Sequence, residues 1–216
     1  MLTHFGAQMT TLAEHIHNNT PIAEIGTYLD ALTHDERLAQ TRSLNRQQQR
    51  RLYEAAAEAP PLSLEHFVPS NRESLTEVIH HGRNTLPLPN GLKLFEKRFC
   101  RPSEGQDRLF GYNEGATRKL IGPGYFVIVS TKDNPEWAKR GSLVVDYFQV
   151  PDSAVVSDWP TVVPNNKGLQ VLVYNKTRDF MRGVSQHVSI GAAYKVEKAL
   201  GHFFILCRND TDHPTS

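Results

Sequence analysis

Asp146 interrupts the apolar run Leu143-Val144-Val145-Asp146-Tyr147-Phe148. Strand alternation puts it on one face with Val144, Phe148 and Val150. A carboxylate on a dry face either has its pKa raised by desolvation or needs an arginine or lysine beside it. Raised, it serves as a general acid or base; paired, it orients a ligand. The plainer alternative is a carboxylate that points to solvent or makes a structural pair. His187 lies in Ser185-Gln186-His187-Val188-Ser189-Ile190-Gly191. Its face carries Ser185, Ser189, Gly191 and Ala193, small side chains that leave the volume a ligand site needs, unless that face is simply exposed. The opposite face, Val188, Ile190, Ala192 and Tyr194, is suited to packing on helices. Asp146 and His187 are therefore the catalytic candidates. A nucleophile triad with Ser189 is poorly supported, because no Gly-x-Ser-x-Gly elbow occurs in the chain.

Binding candidates lie nearby. Arg178 and Arg182 are four apart and would clamp an anion if helical, or else form solvated surface charge. Tyr112 sits in a glycine-rich connection, Gly111 to Gly115 and Gly122-Pro123-Gly124, that matches neither a P-loop nor a dinucleotide fingerprint. Phe126, Phe148 and Tyr174, with Val144 and Phe204, would supply an apolar wall, and Asp146, His187, Arg178 or Tyr112 would fix orientation. Ten histidines raise the question of metal. However, His15 and His17 diverge on a helix, His80 and His81 are adjacent, and neither Cys-x-x-Cys nor His-Glu-x-x-His occurs. No metal site is expected and no cofactor is indicated. Arg46, Arg50 and Arg51 are followed by Glu54 and Glu58, which marks a solvated helix face rather than a nucleic-acid surface.

The elements that must position these residues divide the chain in two. Only three of 14 glycines and four of 19 aromatics fall in residues 1–90. The first part reads as helical and the second as strands and tight turns. Met9, Leu12, Ala13 and Ile16 form one helical stripe; Ile22, Ile25, Leu29 and Leu32 form another, started by Thr20 and Pro21. Thr33 to Glu36 has capping-box spacing, and 43–58 is a surface helix. Ser70 to Glu73 predicts a second capping box, leading a helix through Leu75, Val78 and Ile79 to Gly82. Strands are expected at 92–100, 108–112, 125–131, 142–150 and 169–175. Residues 177–182 suit a helical turn or a strand extension. A closing hairpin is expected from strands 186–196 and 202–208 around a turn at Lys198–Gly201.

The expected fold class is α+β: a helical section over 1–86, then a curved antiparallel β-sheet or small β-barrel over 91–209, packed as one unit, with a flexible tail at 210–216. A formal charge of +1, 39% hydrophobic residues and no long apolar run call for neither nucleic acid nor a membrane. The N-terminus lacks the pattern of a secretory signal, so a cytoplasmic protein with buried free thiols at Cys100 and Cys207 is the default. The leading functional expectation is a soluble protein that holds a small apolar or amphipathic ligand in a curved-sheet cavity. The alternatives are an enzyme using that cavity with Asp146 or His187 as general acid or base, and a pocketless interaction module, for which an open sheet edge would suit a homodimer.

Overall fold

The helical section is written largely in capping boxes. In the computed structural model, which describes residues 10–105 and 107–209, it comprises α1 (Leu12–His17), α2 (Ile22–Asp30), α3 (His34–Ser43) and α4 (Arg46–Ala55). Thr11 with Glu14, Thr33 with Glu36 and Asn45 with Gln48 each exchange side-chain and backbone hydrogen bonds, and so satisfy the first orphan N–H groups of three helices. The start of α2 differs by one residue from expectation. Pro21 itself is the N-cap, and no side chain caps the helix. Met9 and the tail 210–216 lie outside the described residues.

Eight antiparallel strands follow: β1 (Val78–Asn84), β2 (Leu94–Cys100), β3 (Arg108–Glu114), β4 (Phe126–Ser130), β5 (Leu143–Asp146), β6 (Thr177–Gly183), β7 (Val188–Lys195) and β8 (Lys198–Arg208). Each pairs with its sequence neighbour, and β1 pairs with β8, so the sheet closes into a barrel. The α+β expectation holds, and closure removes the free sheet edge considered for a homodimer.

Alternation divides the side chains. Outward residues Val188, Ile190 and Ala192 of β7 and Ile205 and Cys207 of β8 pack against Leu12, Ile16, Ile25, Leu29, Leu44 and Leu52 of the helical section. Burying each such leucine or isoleucine contributes about 1.5–3 kcal/mol. A second outer cluster, Phe110, Tyr112, Tyr125, Val127 and Cys100, is covered by Trp159 from the long β5–β6 connection. Inward residues Val78, Phe99, Leu109, Phe126, Ile128, Leu143, Val145, Met181 and Leu206 form the barrel core, and Phe67 and Val68 belong to the same cluster. His80 stacks on Phe67 with ring centroids 5.2 Å apart and places Nε2 3.0 Å from its carbonyl. Phe67, Val68 and His80 thus plug one end of the barrel. Both cysteines are buried and free.

Three expected elements take another form. The helix predicted over 70–82 is β1 from Val78 onward, so the helical section ends before the expected boundary at 86. Leu75 has φ 60°, which no α-helix accommodates, and the chain beyond it gains strand partners on both sides. The expected strand at 169–175 is instead the helical turn α7 (Gln170–Val173), after Gly168 at φ 59°. The strand expected over 142–150 ends at Asp146, because the carboxylate of Asp146 accepts the N–H of Phe148 and turns the chain. Residues 177–182 resolve as strand β6. Two further helical turns, α5 (Arg118–Ile121) and α6 (Pro135–Ala138), lie in the connections after β3 and β4.

Candidate ligand-binding site

The end of the barrel opposite the Phe67 plug is open. A cavity of about 340 Å³ enters there, walled by Leu94, Phe95, Tyr174, Ala193, Phe203 and Phe204. That volume lies at the lower end of the range for small-molecule sites.

Its floor is polar. Lys97 sits between Phe95 and Phe99 on the inward face of β2 and is 1% exposed. Its ammonium donates to Asn113 Oδ1 at 3.0 Å, to the Tyr147 hydroxyl and to Asp179 Oδ2 at 3.3 Å. It also lies 4.8 Å from the centroid of Phe126 and 4.9 Å from that of Phe204, over their ring faces. Asn113 in turn donates to the Gly124 carbonyl at 2.9 Å and to Tyr147 at 3.1 Å. Burial pulls Lys97 below the usual lysine range and lifts Asp179 above the usual carboxylate range, while each partner's charge opposes the other's shift. Burial also raises Tyr147 well above an ordinary phenol, with the Asp179 charge adding to it. All three ammonium protons are committed, and the one cation is matched by the one anion. This floor can hold an uncharged polar group of a ligand by hydrogen bonding; a charged head group would meet no unpaired opposite charge.

The expected site residues divide among four places. Phe126 and Tyr174 belong to the interior. Phe126 packs edge-on to Tyr147, and Tyr174 stacks on Tyr147 at 5.2 Å. Asp146 is buried but has the parity of Val144, which faces outward. It accepts from Phe148 N at 2.9 Å and pairs with Arg178 Nε at 3.3 Å. Arg178 lies outside as well, sandwiched between Trp137 and an exposed Phe148 at 4.4 and 4.1 Å, and it also pairs with Glu197 at 2.8 Å. Tyr112 faces the outer cluster beside Trp159. His187 precedes β7 at the plugged end, with Nδ1 3.1 Å from an Arg208 guanidinium nitrogen. The structure therefore does not bring Asp146 and His187 together, nor either of them to the cavity. The register explains the separation, since Asp146 is level with Arg178 and Tyr194, whereas His187 adjoins the far end where Ser189 meets Gly183.

The small face of β7 does turn inward, and Ala193 borders the cavity. Sequence reasoning missed Lys97 and Asp179. The available signal was Phe95-x-Lys97-x-Phe99, an alternation that puts an ammonium between two aromatic rings on one face. Among the described residues, no cluster of three or more histidine, cysteine or carboxylate side chains is placed to hold a metal ion. Compared with known proteins, the chain matches no family model, no curated protein and no solved structure.

Proposed function

We propose that this chain is a soluble carrier or receptor that binds one small, largely apolar molecule in the open end of the barrel. The supporting observation is the cavity itself: an apolar-walled space of about 340 Å³ that ends on a charge-balanced Lys97–Asp179–Tyr147–Asn113 floor. Apolar walls supply affinity without direction, and a few convergent polar groups at the bottom fix which end of the ligand enters first. The preferred ligand has an apolar body and an uncharged polar tip that can donate a hydrogen bond, such as a hydroxyl, because the donors of the floor are already committed.

The test is native mass spectrometry of the purified protein, alone and with long-chain alcohols and the matching carboxylates. One retained molecule per chain, alcohols held better than carboxylates, and loss of binding in Ala193→Phe are the expected results. A protein that retains neither class, or an Ala193→Phe variant that binds as well as the parent, would overturn the proposal.

A further inference from the structure

The exposed apolar side chains are not scattered. Eight large hydrophobic residues are exposed among the described residues; Phe148 stacks on Arg178 on the outer wall, and the other seven lie in four segments at the open end, 90–93, 115–122, 167–176 and 195–200. Leu92 precedes β2, Leu120 lies in α5, Leu169 and Leu172 lie at and within α7, and Val196 and Leu200 mark the β7–β8 hairpin. Leu120 and Leu172 are each 74% exposed. Single exposed leucines need no explanation, but a ring of them around the entrance to an apolar cavity does.

The charge of the same segments is equally uneven. Residues 90–93, 115–122, 167–176 and 195–200 hold seven lysines and arginines and one acidic residue, Glu197, in a chain whose total is +1. Glu197 is occupied by Arg140 and Arg178, and Arg118 is paired with Glu114 at 2.6 Å. Lys93, Lys119, Lys167, Lys176 and Lys198 stand in these four segments with no carboxylate partner among the described residues. A second copy docked mouth to mouth would bring these lysines against their equivalents. A surface of anionic head groups over hydrocarbon matches both the charge and the leucines.

We infer that the open end of the barrel docks on an anionic lipid bilayer, and that the cavity draws its ligand from that bilayer; the second clause rests on the cavity being an apolar-ligand site. In this arrangement Leu120 and Leu172 enter the head-group boundary, the lysines pair with lipid phosphates, and the entrance faces hydrocarbon, so an apolar molecule passes inside without crossing water.

The experiment is co-sedimentation of the full chain with vesicles of phosphatidylcholine alone and with vesicles that also contain phosphatidylglycerol, at low and high salt. Binding to the anionic vesicles that weakens with salt, falls by about tenfold or more in Lys119→Gln/Lys198→Gln, and disappears in Leu120→Glu/Leu172→Glu is the expected result. Both double variants change exposed positions, and unchanged circular dichroism confirms their fold. No binding to anionic vesicles, equal binding by the leucine variant, or self-association by this face in size-exclusion chromatography would overturn the inference. Uptake of a dispersed alcohol separates the two proposals. Leu120→Glu/Leu172→Glu that takes up alcohol but ignores vesicles leaves both standing. A parent protein that takes up alcohol but ignores vesicles removes the docking alone. One that pellets with vesicles yet takes up no alcohol removes the cavity reading and the ligand transfer that rests on it, and leaves the docking.

Discussion

Lys97→Met tests the interior polar cluster most directly. The substitution keeps an unbranched side chain among Phe95, Phe126, Tyr147 and Phe204 but deletes the cation. Asp179, 5% exposed, then loses its hydrogen-bonded countercharge, while Asn113 and Tyr147 remain bonded to each other at 3.1 Å. Breaking a buried pair from one side costs about 3–5 kcal/mol, a large part of an ordinary domain's stability. The orphaned carboxyl should respond by keeping its proton. Its folded pKa rises further above the unfolded value, so the folded state binds a proton that the unfolded chain releases. Stability of the variant should then fall with rising pH above about pH 4, by up to about 1.4 kcal/mol per unit until the raised folded pKa is passed. Lys97→Met/Asp179→Leu removes both charges and should return to within about 1 kcal/mol of the parent, or exceed it. Urea denaturation followed by tryptophan fluorescence, at several pH values, measures all three proteins. A loss under about 1 kcal/mol in Lys97→Met, or a double variant worse than the single one, would refute the account of this floor as a mutually dependent pair.

Two other perturbations probe the barrel. His80 is fully buried against Phe67 and Phe99, and burial holds its pKa well below the ordinary 6.5, so the imidazole stays neutral when folded. As pH falls below that value the unfolded chain gains a proton that the folded one refuses. His80→Phe should therefore lessen the stability lost between about pH 7 and pH 5 by about 2 kcal/mol, and an unchanged pH slope in denaturant titrations would contradict this. At Gly111 an added Cβ would lie 2.5 Å from the Arg98 carbonyl and from the Phe126 ring, with backbone on one side. Gly111→Ala should cost about 1–3 kcal/mol or more in the same titrations, and a neutral substitution there would mean that β2 and β3 are not held as described.

Elements with local signals were the legible ones. The Thr33–Glu36 capping box and the two-faced pattern of β7 emerged where short-range chemistry and tertiary packing agree. The final hairpin emerged too, but its turn is Val196–Glu197, both at positive φ, and the expected turn residues 198–201 belong to β8. The stretch Leu75 to Gly82 failed because its spacing suits a helix equally well, and only the distant partners β2 and β8 decide for a strand. Leu169 to Asn175 misled in the opposite sense, since a short apolar run carries no period long enough to separate a strand from one helical turn. The parity of Asp146 could not be read from β5 alone. Four residues alternate the same way whichever face is inside, and the turn at Tyr147 ends the pattern. Lys97 escaped notice because charge in a strand is usually solvated; its burial depends on Asp179, more than eighty positions away and brought beside it by barrel closure. The lysines of the rim were hidden by summation, because a net charge of +1 does not say where the cations lie.

Barrel closure by β8 also dictates an order of events during synthesis. β1 hydrogen-bonds with β8, with Asn84 opposite Phe204 roughly 120 residues downstream, so one edge of β1 waits for the rest of the ring to leave the ribosome. The helices α1 to α4 emerge earlier still, yet the strands they cover, β7 and β8, are made last. Until then the nascent chain carries an apolar helical face and an open strand edge at once, the combination that recruits chaperones and invites mispairing. The final hairpin completes the ring and the helical core in one step.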